Sequence, residues 1–213
     1  MIKAVIFDLD DTLIKTSETK YEALKFAANH FYKLELTTEM IKTHWGKPFR
    51  KFMINLFGEI DTIESIIQNY YSVRNQFPSP AYEDAVNTLG QLAKKYILGV
   101  VTASTRHIAE EDLQAAGFNL SLFTYIQTSE QTSVHKPDPK VFEPVSHMLL
   151  EKNIFPNNVV YVGDSLADYE AAHGSGFHFV GITGRTTTHT EFKNIIFAID
   201  HFSKLFGIIK SIK

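Results

Sequence analysis

Short apolar runs alternate with helical patterns along most of this chain. Residues 2–7 are mainly β-branched and aromatic and too few for a helix, so they predict a buried strand. Comparable runs occupy 97–101, 125–128 (the weakest), 159–162, 179–182 and 195–199. Amphipathic segments lie between the later runs. One covers 108–116 and ends at Gly117, a natural C-terminal cap. Another runs from Asp138 onward with Val141, Phe142 and Val145 at helical spacing, and a third covers 166–173 and ends near Gly174. Strands alternating with helices predict an α/β fold, a Rossmann-like parallel sheet covered on both faces.

The first strand breaks this rhythm. The stretch between it and the next strand is mainly helical and far longer than the ~10–15 residues of one crossover helix. Tyr21, Leu24, Ala28 and Phe31 form one stripe, and Met40, Ile41 and His44 with Trp45 form a second that ends at Gly46. Phe49, Phe52, Met53 and Leu56 with Phe57 form a third, which ends at Gly58. A fourth starts with Asp61 three residues before Glu64, resembling a capping box, and carries Ile63, Ile66, Ile67, Tyr70 and Val73. Phe77-Pro-Ser-Pro ends it, and a fifth helix follows with Val86, Leu89, Leu92 and Ala93. The pattern therefore predicts a core made of 1–15 and 79–213, interrupted by a four-helix insertion over 16–78.

Composition narrows the class without changing the fold. The 213 residues are 44% apolar and 21% charged, as in an ordinary globular protein. A net charge of −3 gives no bulk attraction to nucleic acid or an anionic membrane. With no cysteine, disulfides and thiolate metal sites are excluded. No apolar run approaches the roughly 18 residues that span a bilayer. The opening segment runs into carboxylates instead of a signal-peptide cleavage site. The expectation is a soluble cytoplasmic protein, monomer or homodimer, with neither a nucleic-acid nor a membrane partner.

Candidate chemistry sits just beyond the strands. Asp8 and Asp10 follow the first, Thr102 follows 97–101, Lys136 lies in the loop after 125–128, and Asp164 follows 159–162. In an open parallel sheet, ligands bind outside the carboxyl ends of the strands, so these scattered residues should converge. Asp8, Asp10 and Asp164 offer the carboxylate oxygens that a hard cation such as Mg²⁺ favours. Thr102 and Lys136 are a hydroxyl and an ammonium suited to phosphoryl oxygens. A carboxylate nucleophile can divide phosphate-ester hydrolysis into two steps, and a second carboxylate two residues along can move the proton in both.

These residues stand in AVIFDLDDTL (4–13), VVTAS (100–104), HKPDP (135–139) and VVYVGDSLAD (159–168). With AAHGSGFHFVGITGR (171–185) and HWGKPFR (44–50), the chain resembles the haloacid dehalogenase superfamily, in particular its helical-capped phosphatases of the phosphoglycolate-phosphatase-like group. The resemblance implies that Asp8 is the nucleophile and Asp10 the acid/base. It implies that Thr102, the Ala103 backbone N–H and Lys136 hold the phosphoryl group. Mg²⁺ would be held by the Asp8 carboxylate, the Asp10 backbone carbonyl and Asp164, with Asp168 supporting from outside the direct ligands. The insertion would act as a cap that excludes water and selects the substrate, a small phosphorylated metabolite, with Arg50 as a substrate-binding residue. His135 departs from the glycine common before the lysine, and His173 replaces a long or small helix residue.

Each residue also has an ordinary structural reading. Asp8 and Asp10 suit a turn or N-cap, Thr102 a strand end, Lys136 a solvated loop, and Asp164 or Ser165 a helix cap. Asp168 and Arg50 are equally well read as solvated helix residues. Trp45 reads as packing, and His30, His147, His189 and His201 as surface or packing residues. The combination, in order, favours a phosphatase. Asp10 argues against carbon–halogen cleavage. Phosphomutase chemistry, starting from the same aspartyl-phosphate, stays open, as does a phosphonatase using Lys47. A phospho-signalling module also assembles carboxylates, a hydroxyl and a lysine, but on a shorter chain without a helical insertion.

Overall fold

The computed structural model describes residues 1–45, 47, 49–184 and 197–212. The chain divides into two compact units, Met1–Lys15 with Pro80–Lys213, and Thr16–Ser79. The Ser79 hydroxyl shares a 2.6 Å hydrogen bond with Thr19 at the two ends of the second unit. Gly46 and Pro48 of the 44–50 segment, residues 195–196 of the last expected strand, Arg185 and His189 lie outside the described residues.

The insertion contains α1 (Thr16–Tyr32), α2 (Thr38–His44), α3 (Phe49–Phe57) and α4 (Ile63–Arg74). Alanines on α1 (Ala23, Ala27 and Ala28) bury beside Leu24 and meet Ile41, Phe52, Met53, Leu56, Ile66 and Tyr70 in one apolar cluster. Phe31 and Met40, assigned to the buried stripes by spacing, are exposed. Phe31 stands in the last turn of α1, edge-on to His30 at 4.7 Å. The cap of α4 is Thr62, whose hydroxyl accepts from the Ser65 N–H at 3.3 Å. Asp61, the residue expected there, accepts instead from the Thr62 N–H and the Tyr32 hydroxyl.

The other unit is built on β1 (Ala4–Phe7), β2 (Ile97–Val101), β3 (Phe123–Gln127), β4 (Val159–Gly163), β5 (His178–Ile182) and β6 (Ala198–Ile199). Their order is β3-β2-β1-β4-β5-β6, and every neighbouring pair is parallel. Side chains alternate across a strand, so β1 feeds two cores. Val5 and Phe7 pack with α5 (Ala85–Leu92), α6 (Arg106–Ala115) and, near the C-terminus, α9 (Leu205–Ser211). Ala4 and Ile6 pack on the opposite face with α7 (Glu143–Glu151) and α8 (Leu166–Gly174).

Three details depart from the sequence pattern. β3 begins two residues early, at Phe123, and its pairing with β2 shifts register between Leu98 and Gly99. A Cβ on Gly99 would lie 2.9 Å from Ile6 Cδ1 and 3.1 Å from the Tyr125 carbonyl, so the close strand approach requires a glycine there. The segment after Asp138 starts as a 3₁₀ turn over Pro139–Phe142 before α7 begins. Helix α9 was not anticipated, since seven residues give too little periodicity to separate it from a strand.

Candidate active site

β1 ends at Phe7, and its ladder carries on for one residue, with the Asp8 N–H donating to the Val162 carbonyl at 2.9 Å. The chain then turns sharply. Asp11 adopts a left-handed φ of 57°, and the Leu13 N–H closes back on the Leu9 carbonyl at 2.9 Å. Asx residues tolerate this region better than most others. The turn places the Thr12 hydroxyl 3.2 Å from Asp164 Oδ1, so the loop after β1 is tied to the loop after β4.

Thr102, just past β2, donates its own N–H to Gln127 O and its hydroxyl to Asp10 Oδ2 at 3.4 Å. Ser104 donates to the same oxygen at 3.3 Å, and its N–H reaches Thr102 Oγ1 at 3.1 Å. Ala103, between them, is exposed. The loop carrying Lys136 is anchored by buried Gln127. Its amide donates to Val141 O at 2.6 Å and accepts from the Val145 N–H at 3.0 Å, pinning the start of α7 to the end of β3. His135 is exposed, and its carbonyl accepts from the Asp138 N–H within the same loop.

Lys136 is the hub of the site. Its ammonium donates to Asp8 Oδ1 at 2.5 Å, Asp168 Oδ1 at 2.7 Å and the Tyr161 hydroxyl at 2.8 Å. Asp168 is only 2% exposed, which removes the reading of it as a solvated helix residue. Ser165 caps α8 through a reciprocal capping box, giving its hydroxyl to Asp168 Oδ2 at 2.5 Å while accepting from the Asp168 N–H. Gly163 makes this packing possible, because a Cβ there would sit 2.5 Å from Asp168 Cγ.

Carboxylates of Asp8, Asp164 and Asp168 offer oxygens that all lie within 4.8 Å of one another. Burial pushes the Asp8 carboxyl well above its ordinary value. Lys136 opposes that rise, while Asp168, Asp164 and Asp10 add to it. Burial would depress the Lys136 ammonium, but Asp168 and Asp8 more than offset it, and its pKa rises well above normal. Asp8 is thus raised first by burial and then by its acidic neighbours, whereas Lys136 is raised by the carboxylates of Asp168 and Asp8 that it contacts. Such an oxygen-only donor set could hold a metal cation.

The structure thus gathers Asp8, Asp10, Thr102, Lys136, Asp164 and Asp168 at the carboxyl ends of β1, β2 and β4 and in the loop after β3. Arg50 belongs to the helical unit, where its guanidinium makes an exposed 2.6 Å ion pair with Glu64. Sequence reasoning missed Tyr161, Thr12 and Ser104 as members of this network. Tyr161 left one signal: a phenol in an otherwise apolar buried strand needs a hydrogen-bond partner.

The model of the haloacid dehalogenase-like hydrolase family matches residues 5–182. The chain belongs to the haloacid dehalogenase-like hydrolases. A protein of Clostridium perfringens provisionally named pyrophosphatase PpaX is 31% identical over 188 residues, covering 85% of this chain and 84% of its own. Glyceraldehyde 3-phosphate phosphatase of Methanopyrus kandleri is 30% identical over 201 residues, covering 85% and 84%. Among solved structures, a chain from Bacteroides fragilis provisionally named a haloacid dehalogenase-like hydrolase aligns with a TM-score of 0.77 at 25% identity, covering 96% of this chain and all of its own. The enzyme class expected from the sequence, a phosphoric monoester hydrolase of this family, is supported by relatives named as a phosphatase and a pyrophosphatase.

Proposed function

We propose that this protein is a Mg²⁺-dependent phosphatase that hydrolyses a small phosphomonoester through an aspartyl-phosphate on Asp8. The observation that carries this reading is the Asp8 carboxylate itself. It is buried at the end of β1, held by Lys136 and crowded by Asp164 and Asp168. The named relatives act on phosphate esters or pyrophosphate, which supports the same chemistry.

In this reading, Asp8 attacks phosphorus and the bond to the leaving oxygen breaks as Asp10 gives that oxygen its proton. Water then attacks the acyl phosphate, Asp10 takes the water's proton, and phosphate leaves with the Asp8 carboxylate restored. Thr102, the Ala103 N–H and Lys136 would hold the phosphoryl oxygens, and Asp8, the Asp10 carbonyl and Asp164 would hold Mg²⁺. The metal, when bound, supplies charge neutralisation for the transferring group. Ser104 and Thr102 share Asp10 Oδ2, which orients the proton shuttle. Asp168 keeps Lys136 charged and in place.

The helical insertion is proposed as the specificity element, with Arg50 contacting the substrate. A soluble cytoplasmic monomer or homodimer fits the composition, and among the described residues no helix is long and apolar enough to cross a membrane. The test is a phosphate-release screen with and without Mg²⁺ across phosphometabolites and pyrophosphate. Release of free phosphate supports hydrolysis; an isomerised sugar phosphate with none released would identify a mutase instead.

A further inference from the structure

We infer that Tyr161 is a positioning residue for phosphate binding: with Asp168 it forms a fixed cradle for the Lys136 ammonium, leaving the Asp8 contact as the one exchanged for a phosphoryl oxygen. The inference rests on the proposed phosphatase reading and deepens it.

A lysine ammonium has three N–H bonds. Here all three have acceptors: Asp8 Oδ1, Asp168 Oδ1 and the Tyr161 oxygen. Lys136 can reach a phosphoryl oxygen only by giving up one of them. Asp168 is the least free to let go, because its other oxygen is held by the Ser165 hydroxyl and N–H at the cap of α8.

Tyr161 is fixed as well. It is fully buried in the middle of β4, and its ring packs against Phe142 at 4.7 Å between centroids. Its hydroxyl accepts from Lys136 and has one proton to donate, with Asp168 Oδ1 at 3.3 Å and Val101 O at 3.5 Å as acceptors. Lys136, Tyr161 and Asp168 therefore close a hydrogen-bonded triangle on two rigid elements, β4 and the first turn of α8. The ammonium also stands 5.4 Å from the Tyr161 ring centroid, a second attraction to the same side chain. Asp8 is the partner outside the triangle.

Tyr161→Phe removes the hydroxyl and keeps the ring in its packing. The expected result is a rise of about tenfold in KM and in the inhibition constant of inorganic phosphate, with kcat changed less than threefold, the size of one hydrogen bond to a charged group. A residue that merely fills the core would lower melting temperature and active fraction and leave both constants unmoved; that result overturns the inference. A second readout needs no substitution at Tyr161. In phosphate-bound wild-type protein, NMR should show a nuclear Overhauser contact between the Lys136 ammonium and the Tyr161 ring protons beside the hydroxyl, the lysine signal being assigned with Lys136→Arg. Loss of that contact on adding phosphate would show that the tyrosine is the partner given up. Asp8→Asn, run in parallel, separates the two levels: an active Asp8→Asn defeats the phosphatase reading, whereas an inactive one beside an unaffected Tyr161→Phe defeats only the cradle.

Discussion

Lys136 Nζ lies 2.5 Å from Asp8 Oδ1, joining side chains 128 residues apart in the chain. The contact binds the loop after β3 to the end of β1 and places the proposed nucleophile next to the proposed phosphate anchor. A buried carboxylate with three acidic neighbours is held there by one ammonium, so the site is poised between attraction and repulsion.

That balance fixes a pH dependence. The Asp8 carboxyl is raised in the folded state, so its protonated form favours folding. This contribution is complete below the ordinary aspartate value of 3.8 and is lost as pH rises through the raised folded value. Asp8→Asn lacks the titration. Metal-free thermal melts of both proteins should show the variant gaining stability relative to wild type as pH increases above 3.8. A difference that stays flat or narrows over that window would contradict the burial and crowding of Asp8.

A divalent cation should relieve the same crowding. Mg²⁺ at 100 times its Kd is expected to stabilise wild-type protein by about 2.7 kcal/mol. Asp8→Asn and Asp164→Asn should each reduce that gain in calorimetric melts. An equal gain in all three proteins would place the cation elsewhere.

Gly163→Ala tests the packing behind Lys136. Its Cβ would overlap the Asp168 carboxyl, which Ser165 and Lys136 prevent from swinging away. The expected cost is about 1–3 kcal/mol in urea unfolding, from overpacking. Activity should fall as well, because Asp168 can no longer hold the lysine. Wild-type stability would show that α8 shifts freely from β4.

Arg50→Ala tests the insertion's part in substrate binding. Its ion pair with Glu64 is 59% and 70% exposed, so melting temperature should barely change. KM for the preferred substrate should rise about tenfold if one charge-assisted hydrogen bond is lost. An unchanged KM would leave Arg50 as a surface charge.

The convergence of the candidate residues was legible in the sequence because a parallel sheet sends every strand's carboxyl end to one edge. Asp8, Thr102 and Asp164 each lie within two residues of such an end, so their convergence followed from topology alone. Partnerships made by loops were not legible. Nothing in HKPDP specifies that Lys136 reaches Asp168, since that depends on Gln127 pinning α7 and on Ser165 capping α8. Tyr161 was hidden by its own burial, an apolar-looking position whose hydroxyl mattered. In the insertion, spacing gave the helices but misjudged Phe31 and Met40, because exposure near a helix end depends on how far the neighbouring helices extend.

The most direct measurement of the central claim is phosphate release by Asp8→Asn at saturating Mg²⁺, on whichever phosphomonoester wild-type protein turns over fastest. With the fold confirmed by a wild-type-like circular dichroism spectrum, the expected result is no release above background and no acid-stable phosphoenzyme from labelled substrate. Near-normal, Mg²⁺-dependent release by that variant would contradict Asp8 as the nucleophile.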